Sequence, residues 1–319
     1  MTKVMSSIFG IVSVSLGVAA PVAAQHHHGG DVFLEVFGGR IVTSGIAEVI
    51  DPNTGDELSE ILTHDTRVYP SEMGEFQPGW TDEPGFDSGS GTFPVGSEVG
   101  FDIMDALLEW DGAAFVSTNL TVSVSFANLS VGSGGGFVAG FSLPVSNNGE
   151  WHRHLEFELS DPSAIGIFAL PLRLWSDDAT IDASETFWIV FNHEDDEAAH
   201  EEAIEFAKDA YVPGMKFEDA QLAAGRRGEM VIHGAADGAR VYFAYAFAAA
   251  RDAATIPGCP GLTSVLVNPT IIDSTVAQEE TATLVVSIPA QAVGHVVHIQ
   301  AVDPANCVMA NWITVEFID

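Results

Sequence analysis

Positive charge is what this sequence lacks most. Against 45 Asp and Glu residues it holds 11 Lys and Arg, of which three are lysines, for a formal net charge of -34. Such a chain does not suit nucleic acid, whose phosphates are met by Lys and Arg. Nor does it suit electrostatic docking on anionic lipid. It attracts cations, and salt or bound counter-ions relieve its self-repulsion. Cysteine is scarce: Cys259 and Cys307 are the only two. Neither has the close Cys or His neighbours of a zinc motif, so the expected use is one structural disulfide in an oxidising compartment. After the first 25 residues no apolar run is long enough to span a bilayer. The run Gly132 to Gly136 carries no Lys and precedes no helical pattern, so it is a loop and not a phosphate cradle. Ser130 to Ser133 has no elbow motif, and no Ser-His-Asp or Cys-His nucleophile emerges. The acidic turn Asp82 to Asp87 offers oxygen ligands for calcium but lacks the ligand order of an EF-hand loop.

The 319 residues are enough for two domains. Residues 1–25 read as a signal peptide, with Lys3, the apolar stretch Val4 to Ala20 and small residues before Gln25. The mature protein is therefore expected to be exported and soluble: periplasmic, extracellular or at the cell surface. It opens with His26-His27-His28-Gly29-Gly30-Asp31, three imidazoles and a carboxylate beside a glycine pair, which reads as a mobile metal-catching arm. Val32 to Ile50 reads as a hairpin around Gly38-Gly39. From Asp51 to Gly100, prolines and glycines predict irregular chain, with His64 in a polar loop without an evident partner. Short strands recur from Phe101 onward. Asp195 to Tyr211 predicts the one helix, acidic in its first turn, with His200, Ile204, Ala207 and Tyr211 on one inward face. His193, at the strand–helix junction, is explained by capping or exposure. Val212-Pro213-Gly214-Met215 breaks the pattern. Beyond it, seven or eight candidate strands fill about 100 residues, the size of an immunoglobulin-like sandwich. The expected fold is mainly β with two β-sandwich domains: residues 26–211, jelly-roll-like with one C-terminal helix, and residues 218–319, immunoglobulin-like, joined by a linker at 212–217.

The stretch richest in chemistry is Gly149 to Leu159. Its alternation predicts a strand with His152, His154, Glu156 and Glu158 on one face and Trp151, Leu155, Phe157 and Leu159 on the other. Two imidazoles one strand repeat apart stand about 6–7 Å from Cα to Cα. At that spacing both rings can bind one zinc or copper ion.

Residues 26–210 resemble a family of secreted bacterial proteins, best known in cyanobacteria and planctomycetes, many with a PEP-CTERM sorting anchor and some controlled by the zinc-uptake repressor. The resemblance is carried by His26 to Asp31, Pro84 to Asp87, Gly91 to Pro94, Trp151-His152-Arg153-His154, and Phe187 to Asn192 followed by His200. It implies zinc-linked physiology and a metal-binding role for the histidines. The chain departs from the pattern by ending in Ile313 to Asp319, a strand-like segment in place of the anchor. Residues 218–319 resemble an accessory β-sandwich of exported bacterial proteins, through Pro257 to Leu262, Gln300 to Pro304 and Cys307. That likeness implies a Cys259–Cys307 bridge and a spacer or adhesive role.

Three readings follow. The first is an exported, non-enzymatic metal-binding protein for zinc capture, storage or delivery, copper being the second choice. His152 and His154 form its rigid half, His26 and His28 close over it, and His200 reaches it from the helix. The second is a structural or adhesive surface protein without a functional metal, partnered by another surface or exported protein. The third is a cupin-like metalloenzyme. His152 to Glu158 fits the His-x-His-x-x-x-Glu part of its first motif, but no Pro-x-Gly turn precedes His193 or His200 to supply the second.

Overall fold

The computed structural model describes residues 30–318. Among these, 24 strands and one α-helix form a mainly β molecule. The hairpin at the start is as the sequence predicts. β1 (Val32–Phe37) turns through Gly38 and Gly39, both at positive φ, into β2 (Arg40–Ile50). The proline-rich stretch after it is not irregular. It contains β3 (Glu57–His64), β4 (Val68–Met73), the short β5 (Trp80–Thr81) and β6 (Phe86–Ser88). Prolines sit between these strands or where the ladder does not need their missing N–H.

The largest sheet has eight strands and draws on both ends of the chain. β6, β1, β2 and β3 run edge to centre, and the C-terminal strand Val308–Phe317 pairs antiparallel with β3. Val296–Asp303, Arg240–Ala246 and Thr270–Val276 continue it to the far edge. The segment expected to be the linker already contains the start of the strand Lys216–Gln221. That strand, Arg227–His233 and Thr281–Ser287 form a three-stranded sheet. It faces the C-terminal part of the large sheet across a core of Phe217, Met230, Ile232, Phe243, Ile299 and Ile313. Ile61 of β3 belongs to this core, so the first half of the chain helps to fill the second. The expected bridge is present: Cys259 and Cys307 are disulfide-bonded, with Cα atoms 5.3 Å apart.

The first half packs a seven-stranded sheet and a four-stranded sheet against β1 and β2 around large rings, among them Phe86, Phe101, Trp151, Phe157, Phe187 and Phe191. The helix α1 (Glu197–Tyr211) begins at Asp196, whose side chain accepts from the Ala198 and Ala199 N–H groups. Ala203 and Ala207 lie on Val68, Ile167, Ala169 and Val190, which places the first turn beside the end of β4. No described helix is long and apolar enough to cross a membrane.

His64 corrects the sequence reading. It is the last residue of β3, 4% exposed, and not in a loop. Its Nδ1 lies 2.5 Å from a Glu35 carboxylate oxygen and its Nε2 lies 2.7 Å from the Thr314 hydroxyl. Its ring stacks on Trp312 with centroids 4.6 Å apart. The Thr314 hydroxyl also meets His298 Nδ1 at 2.8 Å, so a polar row crosses the large sheet where the two halves of the chain meet.

Candidate metal centre

The alternation read from Trp151 to Leu159 is kept in the burial: Trp151, Leu155, Phe157 and Leu159 are buried, while His152, Glu156 and Glu158 are exposed. The regular strand is shorter than expected and covers only Glu156–Leu159. Upstream, the backbone is held by one bridge. Arg153 and Phe86 exchange both N–H to carbonyl bonds at 2.8 Å. The Trp151 N–H leaves the ladder and donates to the Ser88 hydroxyl. Trp151 and Phe86, fully packed below, fix the height of the two histidines above the core.

The His152 and His154 rings are 5.2 Å apart, centroid to centroid. Asp31, the residue before β1, joins them because the Val32 N–H donates to the Gly85 carbonyl and draws the start of β1 alongside. One ligand atom each from Asp31, His152 and His154 lie within 4.8 Å of one another. Gly85 makes this approach sterically feasible: a Cβ there would stand 2.6 Å from Asp31 Oδ1 and 2.6 Å from His154 Cε1. Further carboxylates surround the rings. His152 Nδ1 lies 3.1 Å from Asp87 Oδ1, and Asp87, Glu150 and His152 make a second trio of the same kind. His154 Nδ1 lies 3.6 Å from Glu83 Oε1. Two imidazoles and a carboxylate are a zinc ligand set with at least one position left for another donor.

His200 points inward, as its helical face predicts, but into a different cluster. It is 2% exposed, and its Nε2–H donates to the Val190 carbonyl at 2.9 Å. Its Nδ1 lies 3.1 Å from Glu72 Oε1, and Glu197 completes a trio with ligand atoms within 4.8 Å. Burial works against a charge on this ring, but the bonds to Glu72 and Val190 outweigh it and raise its pKa. A cavity of about 870 Å³ is lined by Asp31, Glu72, Glu197 and His200, together with Phe76 and Trp80. The single site expected from five histidines therefore separates into two groups. His26 and His28 lie outside the described residues.

His193 is buried and not exposed. Its Nδ1 meets the Ala164 carbonyl at 2.5 Å and its Nε2 accepts the Gly79 N–H at 2.9 Å, which makes it a structural clasp. The residues that sequence reasoning missed are carboxylates, Glu72 and Glu197 above all, while Asp87 belongs to the acidic turn singled out for calcium. In a chain with 45 acids, no local signal separates the two glutamates from the rest.

No protein-family model and no curated protein matches the chain. Among solved structures, it is similar to the FN1–FN3 domains of chicken CNTN1 at 9% sequence identity, over 91% of this chain and 68% of that one. The TM-score is 0.20, too low to carry an argument about this protein.

Proposed function

We propose that this is an exported, non-enzymatic β-sheet protein that binds a divalent cation through His152, His154 and Asp31. Zinc is the first candidate and copper the second, and the role is to capture, store or hand on the ion. The observation that carries the reading is the convergence of three ligand atoms within 4.8 Å, from chain segments about 120 residues apart in sequence. The acidic surround favours cations at long range. His26 and His28, just ahead of Asp31 in sequence, are the donors proposed to complete the shell. Binding requires neutral imidazoles, so occupancy should fall with acidification. The test is the metal content of tag-free protein. Wild type should hold zinc or copper that the His152→Ala/His154→Ala double variant has lost from this site.

A second reading, a structural or adhesive surface protein without a functional metal, draws support from the architecture. One sheet ties the two ends of the chain together, and a disulfide clips the second half. Its partner would be another exported or surface protein. Equal and negligible metal in wild type and double variant, with partner binding unchanged by chelator, would favour it. The cupin-like enzyme gains no support: its missing third histidine is supplied neither by His193, held by Ala164 and Gly79, nor by His200, in its separate cluster.

A further inference from the structure

The same cavity carries a second donor set, inner in that its histidine is buried whereas His152 is exposed. We infer that Glu72, Glu197 and His200 form a separate divalent-cation site at the first turn of α1, independent of the site at His152 and His154.

Three observations support it. The first is the direction of the His200 ring. A neutral imidazole has one N–H, and here Nε2 donates it to the Val190 carbonyl. In this neutral tautomer the Nδ1 lone pair faces a Glu72 oxygen 3.1 Å away, a repulsion that a proton on Nδ1 relieves as an ion pair. A cation between the two also removes that repulsion. A backbone carbonyl that takes the far N–H is also the usual way a ligating histidine is held in the correct tautomer. The second is charge. Two carboxylates beside an imidazole balance the charge of a divalent ion. The Asn192 amide donates to the same Glu72 oxygen, with Nδ2 3.4 Å from Oε1. The third is access. His200 is 2% exposed, yet it and both glutamates line the cavity of about 870 Å³, so an ion can enter without unfolding the helix. One nitrogen and two carboxylate donors suit zinc or manganese better than copper(I) or a thiolate-seeking metal.

The competing occupant is a proton on Nδ1, which would make a His200–Glu72 ion pair with no metal. Equilibrium dialysis with zinc chloride, read by elemental analysis on the full mature chain, separates the two. Wild type is expected to bind two tight equivalents if the outer site is also real, and one if it is not. The His152→Ala/His154→Ala variant is expected to keep one. Glu72→Gln and Glu197→Gln, each nearly isosteric, are expected to lower the inner affinity at least tenfold and to leave the metal-free melting curve close to wild type. The inference is overturned if the outer double variant binds no zinc. It is equally overturned if Glu72→Gln and Glu197→Gln both bind as wild type does. Because each site has its own variants, the outer site can fail while the inner one stands. As a spectroscopic check, cobalt(II) loaded into the outer double variant should give a visible spectrum that excess zinc abolishes. No spectrum at saturating cobalt also overturns the inference.

Discussion

The two halves of this molecule reach stability by different means. The first is packed on large rings, with Phe86, Phe101, Trp151, Phe157, Phe187 and Phe191 in one continuous core. The second has a core rich in small side chains, including Ala220, Ala235, Ala277, Ala282, Ala301 and Ala310, and adds a disulfide. Aromatic side chains bury far more area each than alanine does, so the first half needs no cross-link to hold its segments in place. Both histidine-carboxylate clusters lie in that half: His152 and His154 above the buried rings of Trp151 and Phe86, and His200 on a helix packed against Val68, Ile167, Ala169 and Val190. Ligand placement at His152 and His154 thus depends on ring packing beneath them, while the covalent clip serves a region that holds neither cluster.

The most severe way to break this contrast is Trp151→Ala. Removing a buried ring of this size costs about 3–5 kcal/mol, and the outer cation affinity should collapse with it, as read by denaturant melts and zinc binding. Cys259→Ser should cost about 2–5 kcal/mol yet leave zinc affinity at both clusters unchanged in the folded protein. If it lowers zinc affinity as Trp151→Ala does, the division of labour is wrong. Gly85→Ala is milder in stability, about 1–3 kcal/mol for an overpacked position, but selective. It should push Asp31 from His154 and weaken the outer site while the inner one keeps its zinc.

A pH experiment sharpens the comparison at the join. His298 has its pKa lowered, first by burial and then by neighbouring His64, with Glu35 acting in the opposite sense. Its folded pKa lies below the unfolded value of 6.5. The stability this contributes is present above the unfolded pKa and is lost as pH falls through the folded one. The melting temperature should therefore drop on acidification below about pH 6.5, and less in His298→Gln than in wild type. Smallest of all, His152→Ala on the exposed face should shift stability by less than about 0.5 kcal/mol, against the large loss from its buried neighbour Trp151.

Much of this was legible in the sequence because it is local. Strict alternation gave the faces of Trp151 to Leu159, and the helix spacing gave the inward turn of His200. Strands near Arg227–His233, Thr270–Val276 and Thr281–Ser287 follow from their own residues. Ala249–Thr255 escaped because alanines and charges carry no strand pattern. The rest rests on pairings between distant segments. Nothing in Glu57–His64 announces that Val308–Phe317 lies against it, so His64 could not be seen as buried. Glu72 meets His200 only because β4 runs parallel to Phe187–His193, beside the helix. The separation of His200 from His152 and His154 has the same origin, since sequence order says nothing about which distant carboxylates a histidine meets.

The position of Val308–Phe317 between β3 and Val296–Asp303 also sets a timetable for biogenesis. During synthesis, the hairpin of β2 and β3 is made early, but its open edge has no partner until nearly 250 further residues have emerged. An unpaired edge is a template for intermolecular pairing. Nascent or truncated chains that stop before residue 308 should therefore be the aggregation-prone species, and a chaperone that guards β3 would protect the protein longest.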